Sequence, residues 1–586
     1  SIWREAWPLP PGAVGATREA IASWRMTPVV RPLKDDLVGG VASMLWVLMG
    51  AVGAVLLVAC ANIANLMLVR ADARRQELAV RAALGAGRAR LATALLAESV
   101  GVGVAGSLVG LSLAYVGLRG LVAIGPSDLP RLQEIAVYPP VLAFTVAASL
   151  AATLLFGAIP ALKAASQVEM PTASAARGPT AGRDRNVTRG ALVVAQVALA
   201  LVLVVSAALM IRTFEALREV DPGFAEPGGI QTARIWIPSA LTSDPKQYTL
   251  IEHEIGDRIA ALPGVTSVGF ASQLPMEPPS VSSVLVEGQP LAAGATPPGR
   301  ALKYVSPGYF AAMGTRIVAG RDLTWSDIEA GGRVVLISEN FARELAAEPA
   351  GALGKRIRLP VASDAWREVI GVVQNVHDSG PYEDAPSFVY WPVLAENMGG
   401  SPLAGTPSVA FAIRSERAGT ASLTEEIRQA IRSVNGSVPV GLERTMQDVY
   451  AGSLARTSFT LVLLAIAGGM ALLLGVVGIY GVVAYVVAQR AREIGIRSAL
   501  GAAPRELERM FVLHGLRLSA LGAAVGLVAA VALGRVLSSL LFGVSPMDPV
   551  AYAGALGVTL AAAALASYVP ARRAAAIDPM ETLRAE

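Results

Sequence analysis

The chain has 586 residues, 53% of them hydrophobic against 16% charged, with 58 glycines, one cysteine and a formal net charge of +4. That apolar excess, with a mean hydropathy of +0.52, excludes an ordinary soluble protein and points to a membrane protein with a soluble part. Cys60 stands alone, which excludes a zinc ribbon or a disulfide scaffold, and the small net charge gives no support to a nucleic-acid partner.

The first 40 residues are polar and carry tryptophans, so no cleavable signal peptide is expected after Ser1. A hydrocarbon layer about 30 Å thick takes roughly 20 apolar residues at about 1.5 Å each. Seven stretches reach that length: 41–69, 91–118, 141–162, 190–211, 459–489, 518–541 and 549–571. The sixth has the least certain limits, bordered by Arg517 and interrupted by Arg535.

Orientation follows from the arginines in the short connections. Residues 70–90 hold Arg70, Arg74, Arg75, Arg81, Arg88 and Arg90 against two acids, and residues 490–510 hold Arg490, Arg492, Arg497, Arg505 and Arg509 against three. These connections are expected in the cytoplasm. The balanced connection 119–140, and 542–548 with only Asp548, are expected outside. Seven crossings then start outside and finish inside, which leaves 213–456 extracytoplasmic. That segment alternates β-branched runs (GIQTARIWIP, VTSVGFA, SVSSVLVEG, RVVLIS, SVAFAIRS) with amphipathic stretches (PKQYTLIEHEIGDRIAAL, ASLTEEIRQAIRSV), so a mixed α+β domain is expected.

An internal repeat organises the chain. A displacement of 416 residues lays RRQELAVRAALGA, from Arg74, on RAREIGIRSALGA, from Arg490. Glu77, Arg81 and Gly85 fall on Glu493, Arg497 and Gly501, and Gly106 and Gly110 fall on Gly522 and Gly526. Each unit has three spans, with a basic helix after the first. Its glutamate and arginine stand at i and i+4, which suits an ion pair of a few tenths of a kcal/mol. Topology plus a local pair accounts for this about as well as a docking surface does; the recurrence of the glutamate and of Leu-Gly-Ala is what topology does not require. Gly85 and Gly501 can end their helices in a left-handed cap. Each glycine pair taken alone is as well explained by scatter in an alanine-rich span; recurrence at one offset favours helix packing.

The pattern E-(L/I)-(A/G)-(V/I)-R-x-A-L-G-A after a span resembles the FtsX-like permeases, whose relatives include MacB-like exporters. Two copies in one chain, ACANIANLMLVRA at Ala59 and LLFGVSPMDP at Leu540 resemble the acidobacterial duplicated orphan permeases. DPGF at Asp221, YVSPGYFAAMG at Tyr304, AGRDLTWSD ending at Asp327 and REVIGVVQNV at Arg367 resemble the MacB-like periplasmic core.

The resemblance implies a multi-pass α-helical protein of the bacterial inner membrane, in contact with lipid, with about seven transmembrane helices in two FtsX-like repeats and a large α+β extracytoplasmic core domain. The expected parts are 1–40, the remnant of a first outer domain, which makes the chain N-terminally truncated; 41–165, the first repeat; 166–188, a cytoplasmic linker; 189–212, a span; 213–456, the outer domain; and 457–586, the second repeat. The outer domain is expected to be one core with a subdomain inserted within about 270–370.

The resemblance further implies a permease driven by a separate cytoplasmic ABC ATPase. Arg74, Glu77, Arg81 and Gly85, with Arg490, Glu493, Arg497 and Gly501, then form coupling helices that touch the ATPase. A periplasmic adaptor or envelope protein is a further implied partner. The alternative is a membrane regulator or scaffold whose outer domain activates an envelope partner without transport.

Motifs for chemistry within the chain are missing. No GxxxxGK(S/T) loop cradles a phosphate, so no ATPase is expected here, and ATP with magnesium is expected only through the partner. His253, His377 and His514 are isolated, so neither a metal site nor a catalytic residue is expected. Apart from Glu98 and Arg535 near the edges, the spans carry only the polar residues Asn62, Asn65 and Gln196, which disfavours an ion-coupled carrier.

Overall fold

The computed structural model describes residues 42–73, 88–124, 138–151, 180–289, 297–361, 363–490 and 503–575. It also describes Pro32, Glu77, Val80, Arg81, Leu154, Glu493, Ile494, Ile496 and Arg497. These fall into two compact units: one lies between Leu217 and Ala455, and the other combines Pro32–Ala216 with Arg456–Glu586.

The helices of the second unit are α1 (Ala42–Ala73), α2 (Arg88–Ile124), α3 (Pro139–Ala151) and α4 (Thr180–Glu219) before the outer domain. Helices α5 (Pro245–Ala260) and α6 (Ala421–Val434) belong to the outer domain, and α7 (Met446–Gln489), α8 (Pro504–Leu537) and α9 (Pro549–Ala575) follow it. Six of the described helices, α1, α2, α4, α7, α8 and α9, are long and apolar enough to cross a membrane. The expected span 141–162 begins as α3, which is shorter than a crossing, and most of its remainder lies outside the described residues.

Several helices are longer than their apolar stretches. Helix α7 starts at Met446 because Thr445 and Asp448 close a capping box there, the Thr445 amide donating to Asp448 at 3.0 Å and the Asp448 amide to the Thr445 hydroxyl at 3.1 Å. Helix α8 starts at Pro504, well before 518. Its charged first turns keep an apolar stripe of Leu507, Phe511, Gly515, Ser519 and Gly522, at the three- and four-residue spacing that makes one buried face. Helix α4 is the most enclosed, with 61% of its apolar window buried, whereas none of the α2 window is.

The outer unit is built on a twelve-stranded mixed sheet. From one edge its strands run Val440–Thr445, Ile230–Trp236, Ser408–Ser415, Val265–Ala271, Gly299–Val305, Phe388–Pro392, Val334–Ser338 and Arg367–Val373, then two short strands. A separate hairpin joins Leu394–Met398 to Ser401–Gly405.

Helix α5 (Pro245–Ala260) starts at Asp244, whose carboxylate accepts from the Lys246 amide, and α6 (Ala421–Val434) starts at Thr420, whose hydroxyl accepts from the Leu423 amide. Both bury one stripe on the sheet: Ile255, Ile259, Leu423, Ile427 and Ile431 join Phe270, Val409, Phe411 and Ile413 in one cluster. Ala412, the alternate residue, faces a second cluster with Phe310, Leu336 and Tyr390, as the two-residue period of a strand requires. The strands from 270–370 continue this one sheet through Phe388–Pro392. Their strand pairing extends the core instead of closing a separate sheet of their own.

Candidate functional site

Glu77 and Arg81 form an ion pair at 2.5 Å, and Glu493 and Arg497 form its repeat at 2.6 Å. All four side chains are about half exposed, so each pair contributes only a few tenths of a kcal/mol. Their importance lies in where the charges are held. Ile494, next to Glu493, is buried in a cluster with Val483, Val487, Leu507 and Phe511, which anchors the segment against the start of α8. Arg497 reaches back to Met510 Sδ at 3.4 Å. Arg490 is exposed, and its carbonyl oxygen accepts the Ile494 amide at 2.9 Å. Arg74, Gly85 and Gly501 lie outside the described residues, and with them the expected glycine stops.

Both segments emerge at one end of the bundle, because α1 and α7 run parallel. A Cβ placed on Gly478 would meet Asn62, and one placed on Gly481 would meet Asn65 and Leu66, so residue numbers rise together along the two helices. The helices end at Ala73 and Gln489, and the two ion pairs follow.

The two glycine pairs differ. A Cβ on Gly522 would stand 2.8 Å from the carbonyl oxygen of Val194, and one on Gly526 2.9 Å from that of Ala198. Only glycine lets α8 approach the α4 backbone so closely. Added Cβ atoms at Gly106 and Gly110 would meet nothing within 4 Å. The packing expected of that pair is therefore absent among the described residues: the second pair has α4 beside it, and no described helix takes the corresponding place beside α2.

The outer unit holds buried charges that no motif announced. Lys303 Nζ lies 2.5 Å from Asp378 Oδ1, both fully buried, and the ammonium also sits 5.1 Å from the Phe388 ring centroid. Burial pushes the Asp378 carboxyl up, and Lys303 opposes that shift. Arg321 and other donors hold Asp327 well below the usual carboxylate range. Glu252 is buried with neither carboxylate oxygen hydrogen-bonded, and burial pushes its carboxyl up to about 9.

His253, isolated in the sequence, stacks on Trp325 with ring centroids 3.6 Å apart. His377 donates through Nδ1 to the Glu383 carbonyl oxygen at 2.8 Å. Among the described residues no cluster of three or more histidine, cysteine or acidic side chains is arranged to hold a metal.

The FtsX-like permease C-terminal model matches the chain twice, at 49–168 and 465–579, and the two matches begin 416 residues apart. The MacB-like periplasmic core domain model matches 191–434. The chain is a duplicated FtsX-like permease with a MacB-like periplasmic core domain.

This permease is similar to an uncharacterized ABC transporter permease, YknZ, of Bacillus subtilis, with 25% identity over 48% of this chain and 69% of that protein. It is similar to the pyoverdine export ATP-binding/permease protein PvdT of Pseudomonas fluorescens, with 27% identity over 46% of this chain and 40% of that protein. It is also similar to the macrolide export ATP-binding/permease protein MacB of Wolinella succinogenes, with 27% identity over 45% of this chain and 40% of that protein. It thus spans less than half the length of those two exporters, whose names join an ATP-binding part to a permease part. The permease is a membrane protein with a periplasmic α/β domain.

Proposed function

We propose that the chain is the permease of an ABC-type export system in the bacterial inner membrane, worked from the cytoplasm by a separate ATPase that binds ATP and magnesium. The carrying observation is the pair of exposed ion pairs, Glu77–Arg81 and Glu493–Arg497, at the same end of two parallel helices. An ATPase that closes on two nucleotides presents two related surfaces, and two related docking segments suit it.

Helix α4 is continuous through Ala216 and α7 through Ala455, where the division between the units falls. In this reading a push at the cytoplasmic end rearranges the outer domain, which expels or releases cargo on the periplasmic side. The scarcity of ionisable groups within the spans supports work at the outer face over passage through the bilayer centre.

The test is purification of the permease with its native partners, wild type beside Arg497→Glu. An ATPase that accompanies the wild type and is lost with the variant, while membrane insertion is unchanged, supports the reading. An ATPase retained equally by Arg497→Glu counts against the coupling role, and an envelope enzyme recovered without an ATPase favours a regulator of that enzyme.

A further inference from the structure

Helices α1 and α7 open the two repeats, and the 416-residue displacement lays one on the other. Leu48, Ala51 and Val55 of α1 share one packed cluster with Leu464, Ala467 and Ala471 of α7, which are the same three positions of the repeat. Farther along, Asn62 meets Gly478 and Asn65 meets Gly481, again equivalent positions. With the buried Val58 between them, the α1 positions run 48, 51, 55, 58, 62 and 65, alternating steps of three and four. That is the seam of a parallel two-helix coil. Contact between equivalent positions is what a two-fold axis produces; here both halves lie in one polypeptide.

The apolar layers of this seam would also suit two copies of the same helix, but the two polar layers would not. Asparagine faces glycine in both. Gly478 has no side chain, so Asn62 Nδ2 reaches the Leu474 carbonyl oxygen, one turn earlier, at 2.7 Å. Asn62 Oδ1 accepts from Gln196 Nε2 of α4 at 3.1 Å. A Cβ at position 478 would stand 2.6 Å from Asn62 Oδ1 and closer still to the Gln196 carboxamide.

Two α1 helices paired in this register would place two carboxamides where there is room for one. Two α7 helices would leave the space empty and the carbonyl without its extra donor. The layer is costly in stability, since Asn65 Oδ1 and Gln196 Oε1 are buried with no partner. Polar residues kept at such a cost on a helical seam typically fix which helices pair.

We propose that Asn62–Gly478 and Asn65–Gly481 form a pairing code that commits the two repeats to each other within one chain and disfavours pairing of two chains through these helices. The proposal is independent of what is exported and of which ATPase drives it.

The test uses the full chain in native membranes with Cys60→Ala, so that all cysteines are introduced. Asn65→Cys with Gly481→Cys keeps the layer of Asn62 and Gly478; on oxidation it should cross-link within one chain. Neither single cysteine variant should give a cross-linked dimer. Like-with-like pairing would bring each of those cysteines against its own copy, and a dimer band from either single variant would overturn the code.

Gly478→Asn, added to the double-cysteine chain, should lower the intrachain product about tenfold, and adding Asn62→Gly together with Gln196→Ala, which clears both groups that a side chain at 478 would meet, should restore it to within about twofold. Restoration is expected because the carboxamide at 478 then has, by the repeat, the Val58 carbonyl to reach. An undiminished product with Gly478→Asn, or no recovery with the swap, would also overturn the proposal.

Discussion

Arg367 lies against the face of Trp391, its guanidinium carbon 5.3 Å from the ring centroid, with both side chains fully buried. Arg367 Nη1 donates to Asp364 at 3.2 Å and to the Ala365 carbonyl oxygen at 2.7 Å, and Nη2 donates to the carbonyl oxygens of Glu396 and Asn397 at 2.8 and 3.2 Å. One cation thereby ties the strand Arg367–Val373 to the hairpin at Leu394–Met398.

Removing that cation leaves Asp364 fully buried without its ion-pair partner. Arg367→Met should destabilise the outer domain by about 3 to 5 kcal/mol, the usual cost of breaking a buried pair from one side. Asp364→Asn on top should recover part of the loss, because a neutral amide has less to lose. Denaturant titration of the full-length protein in detergent, followed by tryptophan fluorescence, measures both; a loss under about 1 kcal/mol would show that the pair is dispensable.

Glu252 makes outer-domain stability depend on pH. Its carboxyl keeps its proton up to about 9 in the fold, against an ordinary value of 4.5, because burial disfavours the charge. Between those values the unfolded chain binds fewer protons than the folded one, so stability falls as pH rises and is fullest below 4.5. At pH 7 the effect is on the order of 3 kcal/mol. Glu252→Gln, neutral throughout, should flatten the thermal-unfolding profile between pH 5 and pH 8.5; an equal slope in both proteins would assign the dependence to another group.

The asymmetry of the glycines is open to a paired comparison. Gly526→Leu should cost the bundle at least about 2 kcal/mol, since a side chain there meets the α4 backbone. Gly106→Leu should stay within about 0.5 kcal/mol, since nothing stands near it. Detergent-titrated unfolding of the two variants side by side gives the answer, and equal costs would contradict the packing described for α8.

Ile494→Ala separates placement of the second coupling segment from its charge. The change trims a buried anchor, worth about 2 to 5 kcal/mol locally, and leaves Glu493 and Arg497 in place. If the proposed coupling holds, recovery of the ATPase should fall several-fold with insertion unaffected. Full recovery would mean that the two charges suffice without the anchor.

Much of this fold is legible in local pattern. An apolar stretch long enough for the bilayer announces itself, and the repeat at one offset shows that two units share a plan. The helix Ala421–Val434 has the bounds its amphipathic stretch suggests, with Thr420 to cap it, and Ser408–Ser415 was visible as a β-branched run. Phe388–Pro392 is not legible in the sequence because it is buried at every position and so shows no two-residue alternation. The hairpin after it carries too few apolar residues to signal a strand.

The sequence by itself determined which segments are apolar, where the basic turns fall and that the plan occurs twice, because each of these is written in neighbouring residues. Only the tertiary structure decided which glycine pair lies against a helix, that Asn62 meets its own repeat equivalent, and that Lys303 finds Asp378 75 positions away. Those choices depend on which surfaces the folded chain brings within a few ångströms, and no local spacing encodes a partner that far along the chain.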